Sequence, residues 1–236
     1  MAYIISGVIL ILLLMTDIVR TTLTTRGEGL ISAFVSGAFR KVACSSIRAG
    51  HRPSEIIGSI SISTLALVWL AGLWAGWVLV FMGIPDAIAH SGDMSGVDLH
   101  DVIYFVGFTL STLGTGDLFP TTRGAQIATV LSSFSGLLIV TLIVTYAVSV
   151  VSAVVARRVL AYKIYLNGGN EGEFLSEFPD IENFAAWVAG IKNELVSCTE
   201  QRLAYPVLDN FVSRDERFSL PVQLARLGLV TFQGES

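Results

Sequence analysis

Residues 111–120 read "STLGTGDLFP", a run of glycines, hydroxyls and one carboxylate inside a chain that is otherwise mostly apolar. Stripping water from a monovalent cation takes several oxygens at once, and backbone carbonyls provide them without a fixed charge. Aiming successive carbonyls at one axis requires the backbone to alternate into positive φ, which glycine reaches without steric cost. Gly114 and Gly116 alternate with Leu113 and Thr115 as such a ladder needs. Thr112 can add its hydroxyl as the innermost ring. Asp117 would stand at the outer mouth, tying the loop to a helix behind it.

The elements that would hold this loop can be read outward from it. Just upstream, "DLHDVIYFVGFTL" opens on Asp98, a good N-cap, with Asp101 three residues on. The apolar run that follows is too short to span a bilayer. A short helix that dips in and returns as glycine-rich backbone is a re-entrant loop, tolerated at membrane depth only where it lines water or is buried in protein. Its C-terminus, near Leu110 or Ser111, turns the negative end of the helix dipole toward a cation.

Composition agrees with a membrane setting. Of 236 residues, 53% are hydrophobic and 14% charged, against about 25% charged in soluble domains. Mean hydropathy is +0.68. The net charge of −4 carries no basic excess, so no nucleic-acid partner is expected. Three apolar stretches can cross: Tyr3–Ile18, read as a retained span rather than a signal peptide, Ile56–Ile84, which holds Trp69, Trp74 and Trp77, and Ala125–Val155. Arg20, Arg26, Arg40, Lys41, Arg48 and Arg52 lie between the first two; Arg157, Arg158 and Lys163 follow the third; 85–101 has no Lys or Arg. The positive-inside rule puts the N-terminus outside and the C-terminal part in the cytosol. No span carries regularly spaced arginines, so no voltage sensor is expected. Leu30, Ile31, Phe34, Val35, Phe39 and Val42 recur at helical spacing, which predicts an amphipathic helix on the inner leaflet or packed on protein.

"TLGTGD" resembles the potassium-channel signature Thr-x-Gly-Tyr/Phe-Gly-Asp, with "YF" at Tyr104 and Phe105 where the family carries an aromatic pair, and "DLFP" like its exit. "SFSGLL" supplies Gly136 where the family's inner helix has its hinge. The resemblance covers roughly 56–155. More loosely, the order of extra span, basic loop, pore unit and tail with "LAYPVLDNF" resembles bacterial single-pore-loop channel proteins. It implies an all-α membrane protein with three transmembrane helices, a re-entrant pore helix and filter loop, and a small helical cytosolic region. The divisions are 1–55, a pore domain 56–155 and a tail 156–236. The implied function is a homotetrameric cation channel of a bacterial inner membrane, with Thr112, Leu113, Gly114, Thr115, Gly116 and Asp117 as selectivity filter and Tyr104 and Phe108 supporting it. Four copies supply the ring of loops. Potassium is the expected permeating ion. The family's aromatic is Thr115 here, which leaves a weakly selective sodium and potassium pore as the alternative. Phe108 stands where some members have a carboxylate, so the Tyr104 hydroxyl is the expected partner of Asp117.

Thr141, Thr145, Ser149 and Ser152 share one face of the third span. Two readings stand: a wet pore lining, or hydroxyls satisfied on the preceding turn. Beside a filter-like loop the pore lining is preferred. In the tail, Ile181–Gln201, Leu203–Val212 and Ser219–Leu229 read as helices serving assembly and packing, with no legible ligand. "NGGNEGEF" does not fit a dinucleotide-binding loop. Cys44 and Cys198 read as reduced thiols, His90 as a residue of a solvated loop and His100 as standing at the mouth of the pore helix, with no role assigned to His51. His90 has Asp86 and Asp93 as sequence neighbours; His100 is the better pH-sensing candidate. No cofactor or bound metal beyond permeating cations is expected. The rivals are a membrane-embedded enzyme, for which the spans hold almost no catalytic groups, and a non-conducting sensor or scaffold on a pore-like fold.

Overall fold

The computed structural model describes residues 1–24, 27–48, 56–92, 97–167 and 181–233. His51, Asp93 and the Gly/Asn/Glu stretch from 168 lie outside these residues, as does the Cys44 side chain. In chain order the elements are α1 (Ala2–Leu23), α2 (Leu30–Arg48), α3 (Ile57–Gly83), β1 (Ile88–His90), α4 (Leu99–Leu110), β2 (Leu118–Pro120), α5 (Arg123–Leu166), α6 (Ile181–Ala204) and α7 (Leu220–Gln233). Helices α1, α3 and α5 are long and apolar enough to cross a membrane. At 1.5 Å per residue the 44 residues of α5 reach about 66 Å, twice a bilayer core of about 30 Å. Its C-terminal part must therefore leave the hydrocarbon.

The helices fall into two compact units. The first gathers 1–24, 28–33 and 63–146. Here α3 is the spine, and its three tryptophans each turn the indole N–H to a different neighbour. Trp69 donates to the Asp17 carboxylate on α1 at 3.0 Å, Trp74 to the Ile103 carbonyl on α4 at 3.0 Å, and Trp77 to the Ser135 hydroxyl on α5 at 2.9 Å. Indoles suit this: Trp69 and Trp77 bury a large ring and still satisfy the one donor, whereas Trp74 is exposed and satisfies its donor at the surface of the chain. Helix α1 packs on α3 where side chains vanish: a Cβ on Gly7 would sit 2.6 Å from the Gly76 carbonyl oxygen. Such small-residue contacts let membrane helices approach closely.

The second unit holds 34–62 and 147–236 with residues 25–27. Leu160, Ala161 and Ile164 of α5 pack with Ile191 and Cys198 of α6 and Leu220 of α7; Phe184, Trp187 and Leu195 close the cluster. Cys198 is a buried free thiol. Lys163 bridges to Glu194 at 2.6 Å on the surface. The helix expected over 203–212 is not formed. α6 continues to Ala204, and a 3-10 turn covers Pro206–Asn210. Pro206 has no N–H to donate and ends the α-helical ladder. Asn210, 1% exposed, then donates to the Ser36 carbonyl at 3.2 Å and the Ser61 hydroxyl at 3.0 Å.

Candidate functional site

The loop 111–117 is built between two clamps. The first is α4. Asp98 accepts from the Asp101 N–H at 2.9 Å, and the Asp101 carboxylate accepts from the Asp98 N–H at 3.0 Å, a complete capping box. Val102, Phe105, Val106 and Phe108 are buried, and Phe105 meets Phe81 and Phe108 edge to face. At the other end the Thr112 N–H reaches the Thr109 carbonyl at 3.1 Å and the Leu113 N–H the Phe108 carbonyl at 2.9 Å. That double bond is a Schellman cap, which needs a left-handed residue at its turn, usually glycine. Here the residue is Thr112 at φ +57°. A β-branched residue is strained there, by about 1–2 kcal/mol.

From Thr112 the chain alternates. Thr112, Gly114 and Gly116 have φ of +57°, +59° and +78°, and Leu113 and Thr115 between them do not enter the positive region. Residues 111–117 are all exposed within the chain. The second clamp is a two-stranded ribbon of β1 and β2, pairing Ile88 with Pro120, Ala89 with Phe119 and His90 with Leu118. The Ser91 N–H donates to the Asp117 carbonyl at 2.8 Å and the Thr121 N–H to the Ala87 carbonyl at 3.0 Å. The glycine-rich stretch is thus pinned at entry and exit by backbone hydrogen bonds, with its middle left open.

Behind the loop stands α5. Gly136 lies against the last residue of α4: a Cβ there would come 3.0 Å from the Leu110 carbonyl carbon and closer to its oxygen. Beside the loop a concavity of about 490 Å³ is lined by Phe105, Thr112, Gly114 and Gly116 on one side and Thr129, Val130, Ser133 and Phe134 on the other. Val130 and Phe134 are 55% and 68% exposed. Exposed apolar area of this kind is left for lipid or for another subunit.

Comparison with known proteins decides the family. A family described as "Ion channel" matches residues 65–153. An uncharacterized membrane protein of Bacillus subtilis, YdjJ, is 30% identical over 233 residues, covering 95% of this chain and 67% of that protein. The chain belongs to the ion-channel family. No solved structure matches it.

Several expected contacts of the channel take a different form. Asp117 was expected to meet Tyr104. The Thr115 hydroxyl is its principal partner, the Tyr104 hydroxyl acts on it more weakly, and its carboxylate also accepts from the Leu118 N–H at 3.1 Å. The Thr115 hydroxyl holds the Asp117 carboxyl below the usual range; the Tyr104 phenol adds a weaker pull in the same direction. Tyr104 packs edge to face on Phe108, which is buried, so the aromatic pair supports α4. His90 does not turn to Asp86. The ribbon brings it within 3.3 Å of Asp101. The Asp101 carboxyl is lowered first by the Asp98 backbone N–H and further by His90.

Thr141 and Thr145 donate back to the carbonyls of Leu137 and Thr141, both at 2.9 Å. Both are exposed, as is Ser152, whereas Ser149 is half-buried. One structural centre escapes sequence reasoning. Asp17, 4% exposed, accepts from the Ile31 N–H at 2.7 Å, the Ser32 N–H at 3.3 Å, the Ser32 hydroxyl at 2.6 Å and the Trp69 indole. It caps the start of α2 from α1 and ties both to α3, whose Trp69 meets Tyr146 of α5 edge to face at 6.2 Å. A lone acid near the end of an apolar span was the available signal.

Proposed function

We propose that the channel is a homotetramer in a bacterial inner membrane that conducts potassium through a ring of backbone carbonyls at Thr112, Leu113, Gly114, Thr115 and Gly116. The observation that carries this reading is the alternation of φ at residues 112, 114 and 116 in a loop clamped at both ends. Alternating handedness turns successive carbonyls to one side, where they can replace an ion's hydration shell. One chain supplies one loop, and rotational symmetry supplies the rest. The concavity beside the loop and the exposed Val130 and Phe134 offer the neighbouring subunit a seat. Asp117 then sits at the outer mouth, the hydroxyls of Thr141, Thr145, Ser149 and Ser152 face the aqueous path, and Gly136 allows the inner helix to bend. The N-terminus lies outside and the C-terminus in the cytosol, which follows from the arginines flanking the spans.

A weakly selective sodium and potassium pore is favoured by one feature. Thr115 is exposed and spends its hydroxyl on Asp117, where an aromatic ring would brace the loop from behind. Reversal potentials of the reconstituted full chain under opposed potassium and sodium gradients separate the two. A potential that follows potassium supports the first reading, and one near zero the second. Absence of any current or rubidium uptake overturns both and leaves a non-conducting sensor or scaffold.

A further inference from the structure

The second unit contains a cavity of about 440 Å³ that none of this explains. Four arginines line it: Arg40 from α2, Arg157 and Arg158 from α5, and Arg202 from α6. Among the described lining residues the only carboxylate is Asp209, and it is already paired with Arg202 at 2.9 and 3.3 Å. Two more arginines of this unit, outside the lining, are likewise neutralised, Arg217 by Asp215 at 2.7 Å and Arg226 by Glu216 at 2.9 Å. The remaining three differ. Arg157 spends one N–H on the Leu208 carbonyl at 3.1 Å, and Arg158 lies 5.2 Å over the Phe218 ring, a stacking that does not itself occupy the in-plane donors. None of the ion pairs among the described residues involves Arg40, Arg157 or Arg158. Ser213 and Ser219 add hydroxyls to the wall, and the first turn of the 14-residue α7, Leu220 and Pro221, closes it with the positive end of a helix dipole.

Asp209 acts on Arg157 and Asp215 on Arg158 from beyond ion-pair distance, so the three guanidinium groups around one volume are only partly compensated, and an anion entering it relieves their mutual repulsion. Guanidinium forks match phosphate in two-pronged geometry, and the volume suits a small ligand. We propose that this cavity is a binding site for a phosphate group, held by Arg40, Arg157 and Arg158 with Ser213 and Ser219 as further donors. Two sources carry that chemistry, an anionic phospholipid headgroup and a soluble phosphorylated molecule. The site does not depend on which ion the pore passes.

The test uses the purified full chain in nanodiscs of phosphatidylcholine, with inorganic pyrophosphate added as the soluble probe and followed by calorimetry. A parallel sample contains phosphatidylglycerol, whose retention is read by native mass spectrometry. At least one probe should bind, and Arg40→Gln and Arg158→Gln should each weaken it about tenfold or more, whereas Arg158→Lys retains most of it and Arg123→Gln changes nothing. Weakening confined to pyrophosphate identifies a soluble ligand, and weakening confined to phosphatidylglycerol a lipid. If Arg158→Gln does not fold, Arg40→Gln decides, because the exposed Arg40 makes no ion pair among the described residues. Binding of neither probe, or binding unmoved by these variants, overturns the proposal.

Discussion

Gly136→Ala separates two roles for one glycine. A hinge needs only backbone freedom, and alanine there would stiffen gating without disturbing the closed packing. The contact geometry demands more. The added methyl would stand 3.0 Å from the Leu110 carbonyl carbon. Since carbon atoms rest at about 3.5–4.0 Å, α5 and the end of α4 must part by roughly 0.5–1 Å. Both partners are backbone, so no side chain can rotate away. Overpacking of this kind costs about 1–3 kcal/mol, a shift of roughly 5- to 150-fold between the native packing and a displaced one. Leu110 is two residues before Thr112, so the displacement reaches the Schellman cap and the loop directly. Gly136→Ala should therefore lower the melting temperature of the purified full chain and also reduce rubidium flux, with Gly136→Val worse on both counts. An alanine variant that melts like wild type but gates differently would refute the packing argument and leave the hinge.

Three further expectations follow from named contacts. Gly114→Ala meets no atom within 4 Å of its own chain, so its cost there is conformational, about 1–2 kcal/mol at φ +59° in each subunit; flux or potassium preference should fall together with a modest drop in melting temperature, and wild-type flux would count against the carbonyl ladder. Thr115→Val removes the hydroxyl that lowers the Asp117 carboxyl, whose contribution is present above its ordinary value and lost as pH falls through its native one. In the variant that loss should begin at a higher external pH, a shift visible in flux measured against outer pH; superimposable curves would argue against it. Asp17→Ala strips the acceptor from four donors, each costing about 1–3 kcal/mol if left unpaired. Asp17→Asn turns one oxygen into a donor, so Trp69→Phe, which leaves a cavity in either background, should destabilise the wild type more than the Asn variant, and additive melting shifts would refute a direct bond.

Much of this architecture was legible because its causes are local. The capping box at Asp98 and Asp101, the three apolar spans, and the glycines at alternate positions each depend on residues a few places apart. The tail misled where propensity competed with a single breaker: apolar spacing over 203–212 suggested a helix, and Pro206 reduced it to one 3-10 turn. At Asp117 the Tyr104 hydroxyl was the legible partner and it does act on the carboxylate, but the Thr115 hydroxyl two residues back acts more strongly. The meeting of His90 with Asp101 was not legible because the ribbon, three residues per strand, carries no periodic signal of its own.

What the residues determined unaided was a membrane protein with one glycine-alternating loop behind a capped short helix, since hydropathy, capping and φ preference are properties of short stretches; the ribbon that pins the loop's exit came only from the fold. Only tertiary structure decided which distant groups meet: Asp17 with Trp69, Gly136 with the Leu110 carbonyl, His90 with Asp101, and four arginines around one cavity. Those meetings arise from close packing between elements, and packing distance is a sum over the whole fold that no local pattern encodes.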